Sequence, residues 1–400
     1  MREPKPIQRM ELSEKNKTLR IIAAIALFVI GVVGITLGIT SALKQDTGWQ
    51  RVQITTQERS CSESFLLQYD FSGSGAQATA VSRQLQQIYA DACVHAYQQF
   101  TADEEIAGVN NIYYLNRHPN QEITVDPVLY KAFEKLADTP WLYLGPVYAH
   151  YSNMIFNTDE TMLDSLDPAL SPEAKAYVEK IAAFAGDRQA VELKLLGENR
   201  VMLAVSGEYL EFAQAEEIGN FLDFAYMTNA FIIDYLADQL IAANLTDGYL
   251  VSADGYTRNL KSGEKFRFNL FDRVENLVYP AAVMEYEGPV SLVYLKDYPT
   301  ADSDIHYRGR MDYFIHLFAD PADGMYRTAE ENLVSYSYDT GCADVLLKML
   351  PGFVGDAFSL PQDVYSIWFE DDLVCYQDKT VRILDLLESE TMAYRAVLKE

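Results

Sequence analysis

The chain has 400 residues, with 32 basic side chains against 58 acidic ones and a formal net charge of −26. So acidic a surface excludes nucleic acid and anionic lipid headgroups as electrostatic partners. A hydrophobic content of 49%, with 27 Tyr, supplies enough apolar material for one large or two ordinary domains.

Residues 21–43 carry no charged side chain and reach about 34 Å as a helix, enough to span a bilayer. Arg2, Lys5, Arg9, Lys15, Lys17 and Arg20 precede this run, and only Lys44 and Asp46 follow it closely. The positive-inside rule then assigns residues 1–20 to a cytoplasmic tail and everything beyond Leu43 to the outside. A cleaved signal peptide is the rival reading. The run exceeds the usual apolar core of such a peptide, however, and no Ala-x-Ala site follows it. Residues 44–60 read as a polar tether. Cys61, Cys93, Cys342 and Cys375 are too widely spaced for a metal knuckle. Outside the cytoplasm they are free to bridge, and four cysteines allow three pairings among which spacing cannot choose; buried free thiols are the equal alternative.

Phe65–Phe71 reads as a strand broken by Gly73 and Gly75, and a helix is expected from about Ala78 to Gln99, with His95 on its flank rather than in a ligand set. Asp126-Pro127 opens a helix, because the first helical position lacks an intrahelical partner for its N–H in any case. Ser171-Pro172-Glu173 opens another. Alternating residues around Gly197-Glu198-Asn199 predict a hairpin. Ala230, Ile233, Leu236, Ala237, Leu240 and Ile241 form one apolar helical face, and a strand follows from about Leu245.

Tyr313 to Gly324 reads as a strand ending in an Asp320-Pro321-x-x-Gly324 turn, where Pro presets φ and Gly permits a positive one. Cys342, Val345, Leu346 and Met349 then recur at helical spacing, with Asp344 and Lys348 together on the opposite side. Asp339 or Thr340 is the expected cap and Pro351-Gly352 the expected stop. As i and i+4 residues with the acid first, Asp344 and Lys348 are predicted to pair. The tail, Val364 to Leu387, offers a hairpin around Glu370-Asp371-Asp372 and a final helix.

The order of these segments resembles the FAD:protein FMN transferases, the ApbE-type flavin transferases. Ile112, Leu115, Asn116, Val125, Pro127, Leu129, Gly145 and Pro146 match that family's first motifs; Leu222, Asp223 and Asp234 match its central one. His316, Asp320, Pro321, Gly324, Ala343 and Asp344 match the last. The resemblance implies an α+β fold, ApbE-like (T-fold-like), over residues 61–375, behind one transmembrane helix and followed by a C-terminal extension over 376–400. It also implies FAD and Mg²⁺ as ligands and an extracytoplasmic flavoprotein as partner. Asp223, Asn229, Asp254 and His316 become candidate flavin-site residues, expected to share one cleft with Asp344, the candidate metal ligand.

Where this chain departs from the family, the chemistry suffers. Ala225-Tyr226 replaces a glycine pair that lets backbone approach the dinucleotide, Asn229 replaces a Lys, and Lys348 stands where a metal-site Thr is kept. Lysine brings positive charge and no acceptor, whereas Mg²⁺ needs oxygen ligands. Two functions therefore stay open: a catalytically degenerate binding or interaction module, and an active Mg²⁺-dependent transferase that attaches FMN to Thr or Ser.

Overall fold

The computed structural model describes residues 47–399, apart from 74, 275–276, 302–303, 305, 311–312 and 390–391. The predicted membrane span over 21–43 lies outside the described residues. Among those residues no helix is long and apolar enough to cross a membrane. The chain divides into two compact units, Met1–Gly48 with Phe71–Arg83, and Trp49–Asp70 with Gln84–Glu400. In the first, Gly73 at φ +91° ends the preceding strand and the Gly75–Phe100 helix begins.

The second unit is a mixed α+β fold built on a nine-stranded sheet. Its strands lie in chain order: Gly48–Arg51, Phe65–Phe71, Gly248–Ser252, Tyr256–Asn259, Val290–Lys296, Asn332–Ser337, Tyr365–Glu370, Leu373–Tyr376 and Arg395–Leu398. Sequential neighbours from Phe65–Phe71 through Leu373–Tyr376 pair antiparallel. Arg395–Leu398 adds in parallel to Leu373–Tyr376, on the edge.

Two helices, Thr228–Ala242 and Cys342–Phe353, pack on each other and on the central strands. A three-stranded sheet of Lys265–Val274, Leu277–Glu287 and Arg382–Leu384 shares a core with the large one, where Met284 and Leu270 join Leu292, Tyr294, Val334 and Tyr336. Covered in this way, all seven residues of Val290–Lys296 are buried, which removes the alternation expected of a half-exposed strand. The long passage between the second and third strands carries helices and a small sheet of Glu122–Thr124, Arg200–Val205 and Val191–Gly197.

Several local expectations stand. Asp126 caps Pro127–Leu136 by accepting the Val128 N–H, and Ser171 caps Pro172–Gly186 through the Ala174 N–H. Others are corrected. No helix follows the hairpin among the described residues before Leu387: Arg382–Leu384 is a strand that pairs with Leu277–Glu287. The Cys342–Phe353 helix runs through Pro351 and Gly352. Gly352 is tolerated there for a packing reason, since a Cβ would lie 2.0 Å from the Ser359 carbonyl. Ile241, expected on the buried face, is 44% exposed.

Candidate functional site

The segment that opens the Thr228–Ala242 helix is held by a buried amide. Asn116 donates to the Leu222 carbonyl and accepts the Leu222 N–H, both at 2.8 Å, so one side chain serves as a strand partner for the backbone. Asp223 then accepts the Ala225 N–H at 2.7 Å, and burial pushes its carboxyl up to about 7. Ala225 takes φ +46°, the left-handed region that glycine occupies freely, so the turn keeps a glycine-like backbone with a methyl group on it. Tyr226 follows. Its ring lies edge-on to Phe318 at 4.8 Å and its carbonyl accepts from the Tyr256 hydroxyl at 2.8 Å.

Asn229 and Asp254 are brought together, the amide donating to the carboxylate at 2.5 Å. His306 Nε2 lies 3.5 Å from the other carboxylate oxygen. Burial raises the Asp254 carboxyl above the usual range, against the opposing pull of His306 and the Asn229 bond. Gly255 closes this turn at φ +92°, where a Cβ would meet the Tyr294 carbonyl at 2.3 Å.

His316 sits elsewhere, 4% exposed, in a cavity of about 300 Å³ that Arg273, Asp297, Tyr326 and Thr328 also line. Its Nδ1 accepts the Phe318 N–H at 3.3 Å. Burial, then Arg273, pushes the imidazole down to about 3, so it is neutral at any physiological pH. The adjoining turn forms as its residues demand: Gly324 takes φ +77° and donates to the Asp320 carbonyl at 2.7 Å, and Arg327 bonds both Asp320 and Asp323.

Asp344 lies in a third place, a groove of about 520 Å³ that Lys135, Asp234, Arg258 and Thr340 also line. Its carboxylate pairs with Lys135 at 2.6 Å rather than with Lys348. Lys348 instead reaches the Asp363 carbonyl at 3.4 Å. The predicted Asp344–Lys348 pair is thus corrected: a partner 209 positions away outcompetes the one a helical turn away. His316 and Asp344 line separate cavities, and neither lining includes Asp223, Asn229 or Asp254.

Asp234 does what the expected caps Asp339 and Thr340 do not. Its two carboxylate oxygens accept the N–H groups of Cys342 and Ala343 at 2.8 and 2.9 Å. Gly341 makes room, since a Cβ there would stand 2.2 Å from the carboxylate. Arg258, whose Nε is 3.5 Å away, balances the charge. Lys135, Arg258 and His306 escaped the sequence reading because nothing local marks them. Each reaches its carboxylate only through the folding of distant segments.

Among the described residues, no group of three or more His, Cys, Asp or Glu has the arrangement of a metal site. The residues present do not fit Mg²⁺ at Asp344: its one carboxylate is occupied by an ammonium, and neither Lys135 nor Lys348 offers a lone pair.

Mixed α+β architecture around one large sheet is the class this fold defines. No protein-family model matches the chain, and no curated protein sequence does. Solved structures similar to it include ApbE proteins. The flavin transferase ApbE from Vibrio cholerae is 10% identical over 80% of this chain and 93% of that one, at a TM-score of 0.49. A mutant form of the same protein gives 11% identity, 80% and 92% coverage, and 0.47. The ApbE protein from Thermotoga maritima is 13% identical over 70% of this chain and 80% of its own, at 0.47.

Proposed function

We propose that this chain is a membrane-anchored, extracytoplasmic domain of ApbE-like design that no longer transfers flavin and acts as a binding or interaction module. One observation carries the reading: the 2.6 Å ion pair between Asp344 and Lys135 occupies the carboxylate that the motif resemblance assigns to metal. Tyr226 supports it, since a packed phenol ring stands where a glycine pair would let backbone approach a pyrophosphate. The anchor is residues 21–43, with residues 1–20 cytoplasmic, and rests on the charge asymmetry of the flanks.

The competing reading, an active Mg²⁺-dependent FMN transferase, draws on the glycine-like φ kept at Ala225 and on the positive φ of Gly255. One experiment separates the two. Full-length protein in detergent is titrated with FAD, with and without Mg²⁺, while flavin fluorescence and FMN attachment to a Thr-containing acceptor peptide are followed. The proposal expects no Mg²⁺-dependent transfer, and robust transfer by the wild type overturns it. Terminal tags test the topology: protease added outside should remove only the C-terminal one.

A further inference from the structure

Of the four cysteines, two are neighbours in the fold. The Cys61 backbone N–H donates to the Cys93 carbonyl at 3.3 Å, and the Cys61 thiol approaches the same oxygen at 3.4 Å. Such a backbone contact holds the two Cα atoms to no more than about 7 Å apart, close to the upper end of the separation a disulfide spans. Both side chains are buried, Cys61 at 8% and Cys93 at 0% exposure, and the Cys93 thiol is in hydrogen-bonding contact with that of Cys61. The remaining cysteines lie apart from this pair: the Cys342 thiol points to the carbonyls of Thr257 and Leu292, and Cys375 stands in a strand opposite Trp368.

We infer that Cys61 and Cys93 are a built disulfide site, which staples the segment before the Phe65–Phe71 strand to the Gly75–Phe100 helix and leaves Cys342 and Cys375 as free thiols. The residues joined are 32 positions apart, and the loop they close contains the whole Phe65–Phe71 strand. The choice among three pairings, open to the sequence, is settled by which side chains the fold brings into reach.

The oxidant is a low-molecular-weight disulfide such as oxidised glutathione. The Cys61 thiolate attacks one of its sulfurs and expels one glutathione thiolate; the Cys93 thiolate then attacks the Cys61 sulfur of the mixed disulfide and expels the second. Two thiols lose two protons and two electrons, and one glutathione disulfide becomes two glutathione thiols. A hydrogen bond from the Cys93 thiol and burial together push the Cys61 thiol well above its ordinary range, so thiolate is scarce and the closure is slow once the chain has folded.

The test uses the full-length chain, incubated with oxidised glutathione, alkylated with iodoacetamide and digested with trypsin without reductant. The expected product is the tryptic peptide 60–83 joined to 84–117, two hydrogens lighter than their sum, with Cys342 and Cys375 alkylated after denaturation. The linked form should melt about 5 °C above the same protein in dithiothreitol, and Cys61→Ser should lose that difference. Alkylation of both Cys61 and Cys93 after the incubation overturns the inference, as does a link from Cys61 to Cys342 or Cys375. This site does not depend on the flavin reading, and its failure would leave that reading as it stands.

Discussion

Two aspartates face the same groove at the start of the Cys342–Phe353 helix and are held in opposite ways. Asp234 gives both oxygens to backbone N–H groups and keeps a guanidinium beside it, with its side chain 17% exposed. Asp344 is 35% exposed and answered by one flexible ammonium, itself 39% exposed. The first is bound to groups that cannot leave, because the helix N-terminus carries them. The second is held by a side chain that water competes for. A carboxylate's place in a motif therefore says little about its freedom; what decides is whether its partners are backbone or side chain.

The largest effect should come from the fixed carboxylate. Asp234→Ala removes the cap and strands Arg258, and is expected to cost about 3 kcal/mol in urea unfolding. Gly341→Ala should reproduce much of that loss by driving a Cβ into the carboxylate. The double variant should be little worse than Asp234→Ala alone, because both act on one interaction. Additive losses would break the comparison, since the cap would then not be what Gly341 serves.

Asp223 extends it to a carboxylate whose pKa is moved. Its folded value of about 7 lies above the ordinary one, so the folded state holds the proton more tightly, and this group's contribution to stability falls as pH rises from about 4 to 7. His316 works the other way: with a folded value of about 3, it loses stability as pH falls from about 6.5. The urea midpoint of Asp223→Asn should therefore fall less than that of the wild type between pH 4 and 7. Identical slopes would mean that the carboxyl is solvated.

A smaller gain is expected from Ala225→Gly. Relief at φ +46° outweighs the added freedom of the unfolded chain by about 0.5 kcal/mol. The smallest effect belongs to the exposed pair: Lys135→Ala should change stability by no more than about 0.5 kcal/mol. It should, however, free Asp344 for cations, so the same variant carrying Lys348→Thr is expected to take up Mg²⁺ more strongly than the wild type in calorimetry. Equal binding would show that Lys135 is not what closes the position.

Where the controlling interactions are local, the chain could be read directly. Period-2 and period-3.6 patterns located Phe65–Phe71, the 191–205 hairpin and the Cys342–Phe353 helix, because each pattern is a demand of one element for one buried face. The helix starts at Asp126-Pro127 and Ser171-Pro172 rest on residues within three positions and were equally plain. The tail before Leu387 was misread as helix because Arg382–Leu384 is a strand only by virtue of the edge that Leu277–Glu287 offers it.

The sequence by itself determined the principal elements and the Asp320–Gly324 turn, since hydrophobic period, capping chemistry and allowed φ are properties of short stretches; the mixed α+β class came with the family resemblance. It also determined which motif positions had lost glycine or gained lysine. Only the tertiary structure decided which charges meet: Lys135 rather than Lys348 on Asp344, Asp234 rather than Asp339 on the helix end, Cys93 beside Cys61. A local partner forfeits little when exchanged for one that burial and backbone geometry hold at closer range, and that competition is settled between segments a hundred or more residues apart at Asp234 and Asp344, where no local pattern records it.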